Sequence, residues 1–238
     1  MEFLFKIPLI LSSPLALHVS ATPPHTPTNN DVIHYNSIEW FLIQDIKYGL
    51  PLAKALSWTV AFAEFAIIAS RMIDPTRLPS GMQNAAVLLQ TIQDVPITNS
   101  QFLAGTAFMV SGGLLRWWCF RTLGRFFTFH LSVCKEHTLV TAGPYSVVRH
   151  PSYLGAFAQN IGMFVLHGSL SSLFSRSGVF NIPGVKVIML AVLAQRMTAA
   201  IGLMLRINNE DEMMKSIAKD EWVNWAKKVK YRLIPGIY

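Results

Sequence analysis

The sequence predicts an all-α, polytopic membrane protein with about four to five transmembrane helices, a cytosolic loop bearing a candidate site, and a C-terminal amphipathic helix. Three observations carry this. Of 238 residues, 52% are hydrophobic and 14% charged, with a mean hydropathy of +0.37, a balance suited to lipid. Four apolar runs, residues 52–72, 102–120, 153–174 and 185–207, are each about twenty residues long, about one hydrocarbon thickness as helix. The net charge of +7 is scattered at the ends of these runs, as expected where Lys and Arg meet phospholipid headgroups. Without a basic tract, nucleic acid is excluded as a partner.

In chain order, residues 1–21 open with Lys6 ahead of an apolar stretch, 7–17, that contains Pro8 and Pro14. The segment reads equally as an uncleaved first span or a signal sequence. Residues 22–30, rich in Pro, Thr and Asn, lack the apolar content to pack and read as a surface loop. Run 52–72 is the next span. Residues 78–99 place Pro79, Gly81 and Pro96 around the apolar stretch 85–92, which is too short to cross and reads as interfacial. Run 102–120 follows and leads into the candidate loop.

Runs 153–174 and 185–207 form a hairpin with 175–184 as its far turn. Orientation follows from basic residues: Arg116, Arg121, Arg125 and Lys135 lie before the loop, and Lys227, Lys228, Lys230 and Arg232 in the tail. Loop and tail are therefore predicted on the cytosolic face, although Arg71 and Arg77 run against the rule. Beyond residue 207, Met214, Ala218, Trp222, Trp225 and Val229 recur every three or four residues, the spacing of one helical face. That face suits either the headgroup zone or a protein surface. Pro235 stops the helix before Ile237 and Tyr238.

Two cysteines, Cys119 and Cys134, make no disulfide framework and no CxxC, and they read as reduced thiols. Single histidines such as His130 and His167 lack a second ligand at helical spacing, so no metal is predicted. Glycine-rich phosphate loops, HExxH and GxSxG are all missing from the sequence. A nucleotide-like cofactor would need a pocket made from helix ends and the loops joining them.

Such a pocket is suggested by His137-Thr-Leu-Val-Thr-Ala-Gly-Pro-Tyr145 running into Arg149-His-Pro-Ser-Tyr153. Arg149 and His150 can contact an anion or polar cofactor, Tyr145 and Tyr153 can stack and hydrogen-bond, and Pro151 suits a first helical turn. After the last long run comes Arg206-Ile-Asn-Asn-Glu210-Asp-Glu212, where i,i+4 spacing puts Arg206 and Glu210 on one face. An antiparallel hairpin would bring Arg149, His150, Tyr153, Arg206 and Glu210 to one membrane depth. Glu64, Gln159, Asn160 and Gln195 read as interhelical polar contacts, and Gly112, Gly113, Gly155 and Gly162 as points of close helix approach.

The Leu123-to-Thr128 lead, the 137–145 and 149–153 stretches, the Arg206-to-Asp211 turn and the Ile234-Pro235 ending stand in one order. This ordered set resembles the isoprenylcysteine carboxyl methyltransferase family, within the wider group of membrane methyltransferases, over about half the chain, 123–238. The resemblance implies a division into N-terminal membrane helices, 1–122, and a methyltransferase core, 123–238. It implies S-adenosylmethionine as cofactor, held by His137, Thr138, Leu139, Val140, Tyr145, His150, Pro151, Ser152, Tyr153 and Glu210. Arg206 is the implied catalytic residue and, with Arg149, the implied substrate-binding group.

Prenylated protein C-termini and membrane lipid are the implied partners, and the endoplasmic reticulum membrane the implied location, with the site facing the cytosol. Two departures stand out: His130 or Ser132 replaces a cofactor-contacting glutamine of the family, and Asp211 replaces its second acid, a glutamate. Two alternatives remain, a phospholipid or small-lipid methyltransferase and a catalytically silent lipid-binding protein. An amine acceptor would favour an acid over Arg206 beside its nucleophile.

Overall fold

Every regular element among the described residues is helical, as the apolar runs predict. The computed structural model describes residues 2–25, 37–94, 96, 97, 99–131 and 138–238, with the side chains of 2–4 set aside. His137, Ser132, Cys134 and Lys135, and residues 26–30 of the predicted loop, lie outside the described residues.

Helix α1, Glu2–Ser20, continues through Pro8 and Pro14 and packs into the core, where Leu17 and Ala21 meet Ala53 and Met109. α2, Ser37–Gln44, a π-helical turn, Asp45–Gly49, and α3, Leu50–Ser70, form one rod. Predicted run 52–72 is only its second half. Pro51 supplies no N–H to the preceding turn, and the wider π turn accommodates that gap. Gly49 makes room there for the Asp45 and Gln195 side chains, whose ends a Cβ would displace.

α4, Ser80–Thr91, covers the predicted interfacial stretch. α5, Ser100–Leu123, begins at Asn99, whose side chain accepts from the Phe102 N–H at 2.9 Å. α6, Pro151–Gly168, starts with the proline at its first turn. The predicted run 153–174 stops at Gly168, because Ser169 is extended and Ser172 caps a separate short helix, α7, Leu173–Arg176. α5 and α6 touch backbone to backbone: a Cβ on Gly155 would stand 2.7 Å from the Gly112 carbonyl oxygen, and one on Gly162 2.7 Å from that of Gly105.

α8, Val185–Lys228, spans 44 residues. The predicted last span and the predicted surface helix follow one another within this stretch and are parted by a kink at Lys219, whose φ of 45° is not helical. Among the described residues, two helical segments, Ser37–Ser70 and Val185–Lys228, are long and apolar enough to cross a membrane. Four to five spans were expected. α5 and α6 carry Arg116, Gln159 and Asn160, which lower their apolarity because these helices face the middle of the bundle.

Polarity is inverted relative to a water-soluble fold. Val187, Ile188 and Leu190 on α8 are exposed, while Lys6, Asp45, Arg116, Arg196 and Arg206 are buried, the arrangement lipid demands. Each buried charge has a use. Glu64, predicted as a structural contact, pairs with Arg176 at 2.8 Å and Lys6 at 3.5 Å, and Lys6 reaches Asp94 at 2.6 Å. Gln195 and Arg196 both donate to Asp45, Arg196 Nε donates to Asn160 Oδ1 at 3.3 Å, and Gln159 accepts from Ser20 at 2.7 Å.

Candidate active site

The loop before α6 turns at Gly143, whose φ of +58° lies where only glycine is unstrained, and Pro144 opens a 3-10 turn, Gly143–Ser146. That turn drives Tyr145 into a cluster with Cys119, Phe120 and Phe127. Burial, with Cys119 and Glu210 nearby, pushes the Tyr145 phenol well above its ordinary range. The C-terminal tail then lies alongside the motif, where the Arg149 N–H donates to the Tyr231 carbonyl at 3.0 Å and the His150 N–H to that of Arg232 at 2.8 Å.

Asp211 organises the centre. Its Oδ1 is 3.0 Å from His150 Nε2, and its Oδ2 is 3.0 Å from Arg149 Nη1 and 3.2 Å from Arg232 Nε. One residue earlier, Glu210 accepts a short hydrogen bond from the Tyr153 hydroxyl and lies 3.9 Å from His150 Nδ1. The His150 and Tyr153 rings stack, with centroids 5.5 Å apart and planes 12° from parallel. Trp222 sits under the Arg149 guanidinium at 5.8 Å, and Trp225 packs against the Tyr145 cluster. Of the two surfaces open to that face of the C-terminal segment, these tryptophans take protein.

These groups enclose a hollow of about 120 Å³ bordered by both His150 and Arg206. Leu139, Val140, Tyr145, Arg149, Ser152, Tyr153 and Glu210 also line it, so nearly all the predicted site residues converge. Thr138 is exposed and Pro151 is buried as the first residue of α6; neither lines the hollow. His137 falls outside the described residues. His130, one of two residues offered in place of the family glutamine, is in the wall.

Arg206 and Glu210 share this wall without pairing. Arg206 instead sets Nε 3.5 Å from Glu39 Oε1 and donates from Nη1 to the Phe129 carbonyl at 2.9 Å. The reason is the docking of α2 on α8: Leu42 covers Gly202, which has no side chain to hold the helices apart, and Glu39 arrives one turn further on. A second chamber, about 100 Å³, lies deeper between the helices, with Leu17, Leu42, Ala53 and Met163 in its walls. Phe127, Thr128, Ser152, Tyr153 and Arg206 line both spaces. Arg149 lines the first space and does not border the second.

Sequence reasoning passed over Glu39, Arg232 and the pocket-facing role of Trp222 and Trp225. Glu39 and Arg232 are far from the motifs in sequence, and nothing in a helical pattern marks which element covers Gly202. The tryptophans were visible in the 222–225 spacing, which lipid and protein surfaces satisfy equally.

The family comparison falls on α5, the motif loop and α6 and stops before the α8 part of the site. Residues 105–181 match the model of the isoprenylcysteine carboxyl methyltransferase (ICMT) family. A 64-residue stretch is 38% identical to protein-S-isoprenylcysteine O-methyltransferase B of Arabidopsis thaliana, covering 26% of this chain and 32% of that protein. The chain thus matches about a third of the length of this curated relative. No solved structure matches. From α5 through the motif loop and α6, the chain is similar to the isoprenylcysteine carboxyl methyltransferase family.

Proposed function

We propose that this protein is an S-adenosylmethionine-dependent protein-S-isoprenylcysteine O-methyltransferase, esterifying the C-terminal carboxylate of prenylated proteins. The observation that carries the reading is the shared wall. One space is rimmed by an acid and aromatic rings, the other combines aliphatic walls with the guanidiniums of Arg116, Arg196 and Arg206, and Tyr153 and Arg206 stand between them. A transfer between a polar donor and a lipid-tailed acceptor needs such a pair of adjoining spaces.

The first hollow fits the donor chemically. Arg149 and Trp225 line it, and Arg149 Nε and Trp225 Nε1 are buried without a hydrogen-bond partner among the described residues, which leaves two unsatisfied donors in its wall for the acceptors of an adenosyl or carboxylate group. Glu210 brings negative charge, and Tyr145, Tyr153 and Trp222 present ring faces suited to a cation. When bound, S-adenosylmethionine supplies an electrophilic methyl group on a sulfonium.

Arg206 anchors the acceptor carboxylate at the boundary through a charge-assisted bond. That carboxylate, with an ordinary pKa near 3.5, is already ionised at neutral pH, so no residue acts as a general base. The protein's task is placement, and a held near-attack geometry supplies roughly 7–11 kcal/mol of the barrier. Leu17, Leu42, Ala53 and Met163 receive the prenyl chain, whose burial is favourable by about 0.8 kcal/mol per methylene.

In this reading α1, the 37–70 rod, α5, α6 and α8 are the membrane helices. The loop and tail face the cytosol, and the membrane is the endoplasmic reticulum. The test incubates membranes containing the protein with labelled S-adenosylmethionine and farnesyl, geranylgeranyl and phospholipid acceptors side by side. A base-labile methyl ester on the prenylcysteine acceptors is the expected product. A folded protein that binds the donor and forms none would end the proposal.

A further inference from the structure

We infer that Arg116 is a second substrate-binding residue, receiving the acceptor's carboxylate together with Arg206 where the inner chamber meets the outer hollow. The inference rests on the proposed function and deepens it. Three guanidiniums, Arg116, Arg196 and Arg206, line that chamber against one carboxylate, Asp45. Asp45 is taken by Arg196, at 3.0 Å, and Arg206 has Glu39 at 3.5 Å. Arg116 forms no ion pair among the described residues, although it is only 9% exposed. A buried cation without an acid is costly unless a ligand anion completes it.

The side chain is also held ready. Its Nε donates to the Ser20 carbonyl at 3.1 Å, and Nη1 donates to the Ser152 carbonyl and hydroxyl, each at 3.1 Å. Nη2 takes part in none of these bonds. The Phe120 and Phe129 rings lie 5.6 and 5.2 Å from the guanidinium, fixing its plane. Phe129 links the two cations directly, because its ring meets Arg116 and its carbonyl accepts from Arg206. Ser152 belongs to the wall common to both spaces. A planar guanidinium with an unused N–H is suited to a carboxylate, and the prenylcysteine carboxylate is the anion this chamber would take.

The experiment compares wild type with Arg116→Gln and Arg116→Lys in detergent, using farnesylcysteine with a blocked amine and its carboxamide as competing ligands. Affinity for S-adenosylmethionine is measured in parallel. Wild type is expected to favour carboxylate over carboxamide by about tenfold or more. Arg116→Gln should bring that ratio close to one and raise the acceptor KM while cofactor affinity is kept. Arg116→Lys, which keeps the charge and loses the fork, should sit between.

A structural role alone would lower the amount of folded enzyme without moving the ratio, so an unchanged ratio in a cofactor-binding Arg116→Gln overturns the inference. If that variant does not fold, an unchanged ratio in Arg116→Lys overturns it. Wild type that shows no carboxylate preference and makes no ester removes the proposed function itself. Wild type that makes ester, with variants that keep the full preference, removes only the inference.

Discussion

The His150 imidazole is held by Asp211, with Nε2 3.0 Å from Oδ1, while the other carboxylate oxygen bridges Arg149 and Arg232. One acid on α8 thereby ties the motif loop to the C-terminal tail. Removing it leaves two partly buried guanidiniums without their counter-charge. Deleting one partner of a fully buried pair costs about 3–5 kcal/mol, and the partial exposure of Arg149 and Arg232 sets this change below that. Asp211→Ala is expected to lower the thermal unfolding midpoint sharply in detergent and to weaken cofactor binding. Asp211→Glu should recover most of both. Unfolding followed with and without S-adenosylmethionine measures the two effects together, and an Ala variant as stable as wild type would refute the arrangement.

Arg206 carries two burdens that can be separated. It is assigned to the acceptor, and it also neutralises Glu39, which is 1% exposed. Arg206→Ala should therefore lose turnover by about 100-fold or more and lose stability as well. Pairing Arg206→Met with Glu39→Gln removes both charges of the pair together, so part of the stability should return while turnover stays lost. Calorimetry should find cofactor affinity largely intact in the double variant. Equal loss of cofactor affinity and turnover would refute the division of roles between Arg206 and Glu210.

The site was legible where chemistry is concentrated in the sequence. Arg149, His150 and Tyr153 stand together at a helix start, and the i,i+4 pair Arg206 and Glu210 stands on one face of the last rod, so antiparallel packing alone was enough to predict their meeting. Their bonding was not legible. The spacing suggested that Arg206 faces Glu210, yet the docking of Leu42 over Gly202 delivers Glu39 to Arg206, and Glu210 takes Tyr153. Segment boundaries depend on backbone breaks that apolarity does not mark: the run 153–174 ends at Gly168 because Ser169 is extended, and the last helical stretch kinks at Lys219.

The contact between α5 and α6 offers a packing test. With a Gly155 Cβ placed 2.7 Å from the Gly112 carbonyl oxygen, Gly155→Val must push the helices apart and move Ser152 and Tyr153, which sit one turn earlier. Overpacking of this kind costs about 1–3 kcal/mol. Gly168→Ala, where a Cβ would meet nothing within 4 Å, is the control and should be close to neutral. Thermal unfolding of both variants decides the matter, and equal midpoints would mean that α5 and α6 do not approach this closely.

Tyr145 gives a prediction in pH. Its folded phenol pKa is raised by burial, so the proton is held more tightly in the folded than in the unfolded state. The stability from that linkage is complete below about pH 10, the ordinary phenol value, and is lost as pH climbs above it. Tyr145→Phe keeps the ring against Cys119, Phe120 and Phe127 but has no proton to lose. Near pH 8 it should be less stable than wild type by about 1 kcal/mol, because the hydroxyl's hydrogen bond with Cys119 is lost. Above pH 10 wild type should fall more steeply, so that the two unfolding curves converge and then cross. Melting curves measured from pH 8 to 11 provide the check, and curves that stay parallel would show that this phenol is not held in a buried, proton-retaining site.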